Sequence, residues 1–173
     1  MMEKARSSEP EPWLQGTLTE VPVVARAALH ALELAKQDIT KWTNGLTEDE
    51  LNLRPLGIAP IAFHMRHIAR SLDRLLTYAE GHQLRPEQLA LLKSELETRA
   101  SREELFEELA SAFDLSAKRI RAMASADLSA KREVGGRKLP TTLGGLLVHV
   151  ADHTQRHVGQ IVTTAQIVRG QSK

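Results

Sequence analysis

The sequence predicts an all-α protein built as a four-helix bundle, and three observations carry that expectation. Four separate stretches place apolar residues at three- and four-residue steps, the pattern of one-sided helices. Proline and glycine interrupt the chain between them, and no run alternates apolar and polar residues between regularly spaced turns. At 173 residues the chain has the size of one domain, so four amphipathic helices share one core in which to bury their stripes. Residues 1–12 (MMEKARSSEPEP) are charged and proline-containing, so residues 1–16 read as a flexible tail and 17–173 as a single domain.

The first helix starts at Val21, with Val21, Val24, Ala25, Ala28, Leu32, Ala35, Ile39 and Trp42 forming its stripe. Asn44-Gly45 stops it, since both residues tolerate the left-handed backbone that closes a helix. Residues 46–60 form a connector: Thr47 and Glu50 make a capping box for one short turn, and Pro55, Gly57 and Pro60 prevent anything longer. Pro60 suits the first position of helix two, whose stripe is Ile61, Met65, Ile68, Leu72, Leu75, Leu76 and Ala79 before Gly81 closes it. Pro86 opens a shorter helical piece with Leu89, Leu92 and Leu96 as its apolar side. Ser101 and Glu104 cap the next long helix, which buries Leu105, Phe106, Leu109, Phe113, Ile120 and Met123. Between Asp127 and Thr142 the helical pattern fails, and Val134-Gly135-Gly136-Arg137 reads as the tight turn of a small hairpin. The last helix runs from Leu143 to about Val168, its apolar side formed by Leu143, Leu146, Leu147, Val150, Ile161, Ala165 and Val168.

Composition removes several classes of function. A net charge of +1 provides no field for nucleic acid or an anionic membrane. No window of about 18 uninterrupted apolar residues is present, so no membrane span is expected, and a cytoplasmic protein is the plain reading. The absence of cysteine excludes disulfides, thiolate zinc sites, iron–sulfur clusters and a cysteine nucleophile. Seven histidines, against six aromatic residues, are therefore the conspicuous chemical resource.

Three of them fall at i, i+4 and i+8 in the last helix: His149, His153 and His157. At roughly 100° per residue each lies about 40° from the next, so they line one strip. Two imidazoles one turn apart can face a common centre, an economical chelate for a transition metal. Helix two can supply the third ligand. His67 lies at the edge of its stripe and can reach a water-accessible pocket, whereas His64 would have to point into the core. His64 and His149 read as buried hydrogen-bonded rings or neighbours of a ligand, and His30 and His82 as surface or loop residues. Thr154 stands where a zinc protease carries the glutamate after its first histidine, and no Glu-x-x-His of a di-iron bundle occurs. Three neutral imidazoles suit zinc, nickel or a similar divalent ion and leave positions open for water or substrate.

Residues 60–69 (PIAFHMRHIA) and 153–160 (HTQRHVGQ), preceded by residues 46–55 (LTEDELNLRP), resemble the DinB-like (YfiT-like) family. That resemblance implies an up-down-down-up four-helix bundle with a divalent metal held by His67, His153 and His157. It also implies that Gly159 lets a neighbouring helix approach and that Gln160 borders the metal pocket. Many relatives carry a glutamate five residues after the helix-two histidine, where Leu72 stands here, with Asp73 beside it. Family members that activate a low-molecular-weight thiol imply a small-molecule substrate, a thiol cosubstrate and homodimer assembly. Metal-assisted hydrolysis is the second reading, and a non-catalytic metal- or ligand-binding bundle the third. Arg66, Arg70 and Arg156 read as solvated helix-face charges, with steering of an anionic cosubstrate as the alternative.

Overall fold

Local sequence sets where each helix begins and ends. In the computed structural model, which describes residues 10–95 and 99–171, helix α1 spans Val23–Thr43 behind Pro22 and stops at Asn44, with Gly45 at φ 77°. The short helix α2 (Glu48–Asn52) opens on a complete capping box: the Glu50 N–H donates to Thr47 Oγ1 and the Thr47 N–H to Glu50 Oε2. A 3₁₀ turn at Pro55–Gly57 leads to Pro60, which flanks helix α3 (Ile61–Ala79) rather than occupying its first position. Helix α3 ends on Gly81 at φ 88°, whose N–H donates to the Tyr78 carbonyl while His82 N–H reaches the Thr77 carbonyl.

Helix α4 (Pro86–Lys93) is short, and α5 (Arg102–Met123) opens on the Ser101–Glu104 capping box. The irregular stretch after α5 contains the antiparallel hairpin of β1 (Lys131–Val134) and β2 (Leu139–Thr142), in register Val134 to Leu139. Arg132 Nε ties this hairpin to the Ala79 carbonyl at 2.6 Å. Helix α6 (Leu143–Gln171) follows directly, and a Cβ at Gly144 would lie 3.2 Å from the Leu128 carbonyl oxygen, so glycine permits the close join.

The four long helices each pack on two others: α1 and α3 both contact α5 and α6. Between them lies a core that includes Ile39, Met65, Leu72, Leu76, Ile120 and Leu147, all essentially inaccessible. Helix α3 is the most enclosed, with fourteen of its nineteen residues buried, because α2, α4 and β1 also pack on it. Its burial extends well beyond the expected one-sided stripe and takes in His64, Arg66, Ser71, Arg74 and Thr77.

Three expectations need correction or limits. Leu89 and Leu92 of α4 are exposed, at 46% and 42%, while Leu96 lies outside the described residues. The reason is that α4 presents a polar residue inward: Gln88 Nε2 donates to Asp73 Oδ2 and Thr77 Oγ1 on α3. His30 is buried, 3.1 Å from Thr17 Oγ1, because the chain before α1 folds back over it. Of the expected tail, residues 1–9 lie outside the described residues, and Pro12–Leu14 forms a 3₁₀ turn against α1.

These environments predict opposite outcomes for two leucines. Leu76→Ala, in the core, should cost about 2–5 kcal/mol in urea unfolding. Leu92→Ala should stay within about 0.5 kcal/mol of the parent, as a surface substitution does.

Candidate metal centre

Helices α3 and α6 lie side by side, and their pairing brings histidines far apart in sequence together. His67 comes from α3, and His153 and His157 come from successive turns of α6. One ring nitrogen of each lies within 4.8 Å of the other two. The Nε2 atoms of His67 and His153 are 3.4 Å apart, and the His157 ring centroid is 4.3 Å from that of His67.

The outer faces of two of these rings are held. Glu95 Oε2 lies 2.6 Å from His67 Nδ1, and Glu95 Oε1 accepts a hydrogen bond from Arg74 Nη1, also at 2.6 Å. His157 Nδ1 lies 3.0 Å from His64 Nδ1. Phe63 stacks on His67 with centroids 5.4 Å apart and 26° between the rings. His153 Nδ1 is buried and has no hydrogen-bond partner among the described residues.

Burial and mutual repulsion disfavour the charged forms of His64, His153 and His157. Burial, followed by repulsion from His157 and His67, lowers the pKa of His153 to about 4. His157 falls to about 4 through burial and its neighbours His67 and Arg156, and His64 to about 4 through burial, His157 and His67. Burial alone would raise the Glu95 carboxyl, but hydrogen bonds with His67 and Arg74 outweigh it and hold the group below its ordinary value. His64, His153 and His157 thus have lone pairs available near neutral pH, beside the ionised carboxylate of Glu95.

That donor set fits a divalent ion. Two nitrogens each about 2.0–2.1 Å from one tetrahedral zinc lie roughly 3.3–3.4 Å apart, which is the His67–His153 separation. Neutral imidazole is the ligand form, and hydrogen bonds on the far nitrogens of His67 and His157 are the supports that metal-bound histidines ordinarily have.

The remaining expected residues divide. His64 is buried against His157, as a neighbour of the cluster. His149 is exposed, not buried; its Nδ1 lies 3.7 Å from Asp152 Oδ2 and its ring stands edge-on to His153. His82 is exposed. A Cβ at Gly159 would meet nothing within 4 Å among the described residues, so no helix of these approaches there, and Gln160 is exposed, because both lie on the outward side of α6. Arg156 is solvated and paired with Asp152, but Arg66 is buried, and Arg70 binds Glu108, Ser94 and the Leu91 carbonyl. Sequence reasoning missed Arg74 and Glu95. Arg74 carries a weak signal, being two turns from His67 on the same helix face, whereas Glu95 is one acid among many in a connector.

A family model described as the DinB superfamily matches residues 31–161. A crystal structure of a conserved protein from Enterococcus faecalis is similar in fold, with a TM-score of 0.69 at 21% identity, over 85% of this chain and 98% of that one. No curated protein matches the sequence.

The lowered histidine pKa values set a pH dependence for metal-free protein. Above about pH 6.5 folded and unfolded chains both carry these rings neutral; from there down to about 4 only the unfolded chain takes up protons, so stability falls as pH falls. Urea midpoints of chelator-treated protein should therefore drop across this interval. His153→Gln should flatten the slope, and an identical slope in the variant would contradict the cause given.

Proposed function

The chain belongs to the DinB superfamily, and from that premise we propose a metal-dependent enzyme whose divalent ion, zinc or nickel, is held by His67, His153 and His157. The observation that carries this reading is the convergence of three imidazoles from two helices, two of them supported from behind by Glu95 and His64. We further propose an up-down-down-up run of α1, α3, α5 and α6 and homodimer assembly, both by analogy with the family, together with a cytoplasmic location.

A divalent ion with three neutral donors keeps its charge and supplies a lowered pKa to a thiol or water at its open positions. The protein's own residues prepare for that chemistry. An ionised Glu95 accepts the Nδ1 proton of His67, which leaves Nε2 as the donor atom facing α6. His157 can offer its Nε2 when its Nδ1 proton is donated to His64, whose lowered pKa keeps it neutral and able to accept. Phe63 stacks on one face of His67.

Since the chain has no cysteine, an attacking thiol has to arrive as a separate small molecule. The reaction proposed is thus transfer of a low-molecular-weight thiol to a small electrophile. Hydrolysis would use water in the same place, and a screen of thiol and electrophile pairs against metal-loaded protein, with ester hydrolysis in parallel, separates the two. Product formation that is independent of added thiol would favour the hydrolase.

Elemental analysis of purified protein should find about one divalent ion per chain, as expected of one three-donor site. His153→Ala and His157→Ala should each lose it. Full metal content in both variants would overturn the ligand assignment. A melting temperature unchanged by chelation, with no metal found, would leave a non-catalytic bundle as the better description.

A further inference from the structure

We propose that Glu95 is a positioning residue for the metal centre, its carboxylate anchored by Arg74 and locking the His67 ring in the tautomer that presents Nε2 to the ion. The inference rests on the three-histidine reading given above and adds a residue from outside the two ligand-bearing helices.

Glu95 stands in the connector after α4, is only 4% exposed, and uses both carboxylate oxygens. Oε2 meets His67 Nδ1 and Oε1 meets Arg74 Nη1, each at 2.6 Å. His67 and Arg74 are seven residues apart, about 10 Å along α3, so a single carboxylate bridges two turns of the same helix. The turn that delivers Glu95 is itself fixed from α3: Arg70 Nη1 donates to the Leu91 carbonyl at 3.0 Å and to Ser94 Oγ at 3.3 Å. Arginines one turn apart thus hold the connector, and the connector holds His67.

A carboxylate has no proton to give, so the ring nitrogen facing it must be the protonated one. That leaves the lone pair on Nε2, the atom that lies beside His153 Nε2. Were Glu95 only an ion-pair partner of Arg74, stapling the connector to α3, removing its carboxylate would leave the His67 tautomer unaltered; as the partner of Nδ1, its removal frees the ring to flip or change tautomer. Glu95 does not join the donor cluster of His67, His153 and His157, so its action is through His67.

The test uses full-length protein and zinc alone. Competition with a chromophoric chelator gives affinity, and ¹⁵N spectra of metal-free protein report the tautomer of each histidine. Glu95→Ala should weaken zinc binding about 10- to 100-fold. Glu95→Gln keeps an acceptor oxygen but not the charge, and about 10-fold is expected. Arg74→Gln, which releases Oε1 alone, should fall between wild type and Glu95→Ala. In the spectra, His67 should be protonated at Nδ1 in wild type and mixed in Glu95→Ala, with His157 unchanged. Zinc affinity in Glu95→Ala within about twofold of wild type, or an unaltered His67 tautomer, would overturn the role. If Glu95→Ala does not fold, Glu95→Gln decides by the same two readings. Wild-type protein that fails to bind zinc would reject the three-histidine reading and this role with it, whereas zinc binding that is indifferent to Glu95 rejects the role alone.

Discussion

Helix α3 is enclosed by α5, α6 and the shorter elements around it, so a polar group on almost any of its faces has to find a partner inside the protein. Leaving such a group unpaired costs on the order of 1–3 kcal/mol, and more when it is charged. This constraint organises much of the molecule. Asp73 and Thr77 accept the buried amide of Gln88 and fix α4, and the same two residues accept hydrogen bonds from Arg119 of α5. Arg70 and Arg74 hold the connector that follows α4. His64 and His67 meet the histidines of α6.

The histidine cluster is the part of this network where pairing within the protein is least complete. His67 and His157 have partners on their outer nitrogens, but their inner faces confront other imidazoles, and His153 Nδ1 has no hydrogen-bond partner among the described residues. Two ring nitrogens at the 3.4 Å of His67 and His153 need a proton or a cation between them. Glu95 adds negative charge behind His67, but Arg74 balances it at 2.6 Å.

Much of the helical frame was legible because local rules act over a few residues. Capping boxes at Thr47 and Ser101, the stop at Gly81 and the start of α6 at Leu143 all fall where residue type and spacing place them. The failures share a cause. Leu89 and Leu92 look like a core stripe, yet Gln88 faces inward because Asp73 and Thr77 offer it hydrogen bonds across a tertiary contact. Arg66 and Arg70 look like solvated charges, yet their helix is surrounded. Gly159 looks like a packing contact, yet it lies on the open side of α6.

The sequence by itself determined that an HxxxH pair stands on one strip of the last helix and that an edge histidine on helix two is available to join it. Both follow from the fixed angular step of an α-helix, which needs no knowledge of neighbours. Tertiary structure alone decided what stands behind those histidines. Glu95 is brought to His67 by a connector with no regular pattern, His64 meets His157 across ninety-three residues, and Arg74 turns inward because its helix is enclosed. Those contacts arise from how helices pack, and helical periodicity within one segment carries no information about the partner that segment will meet.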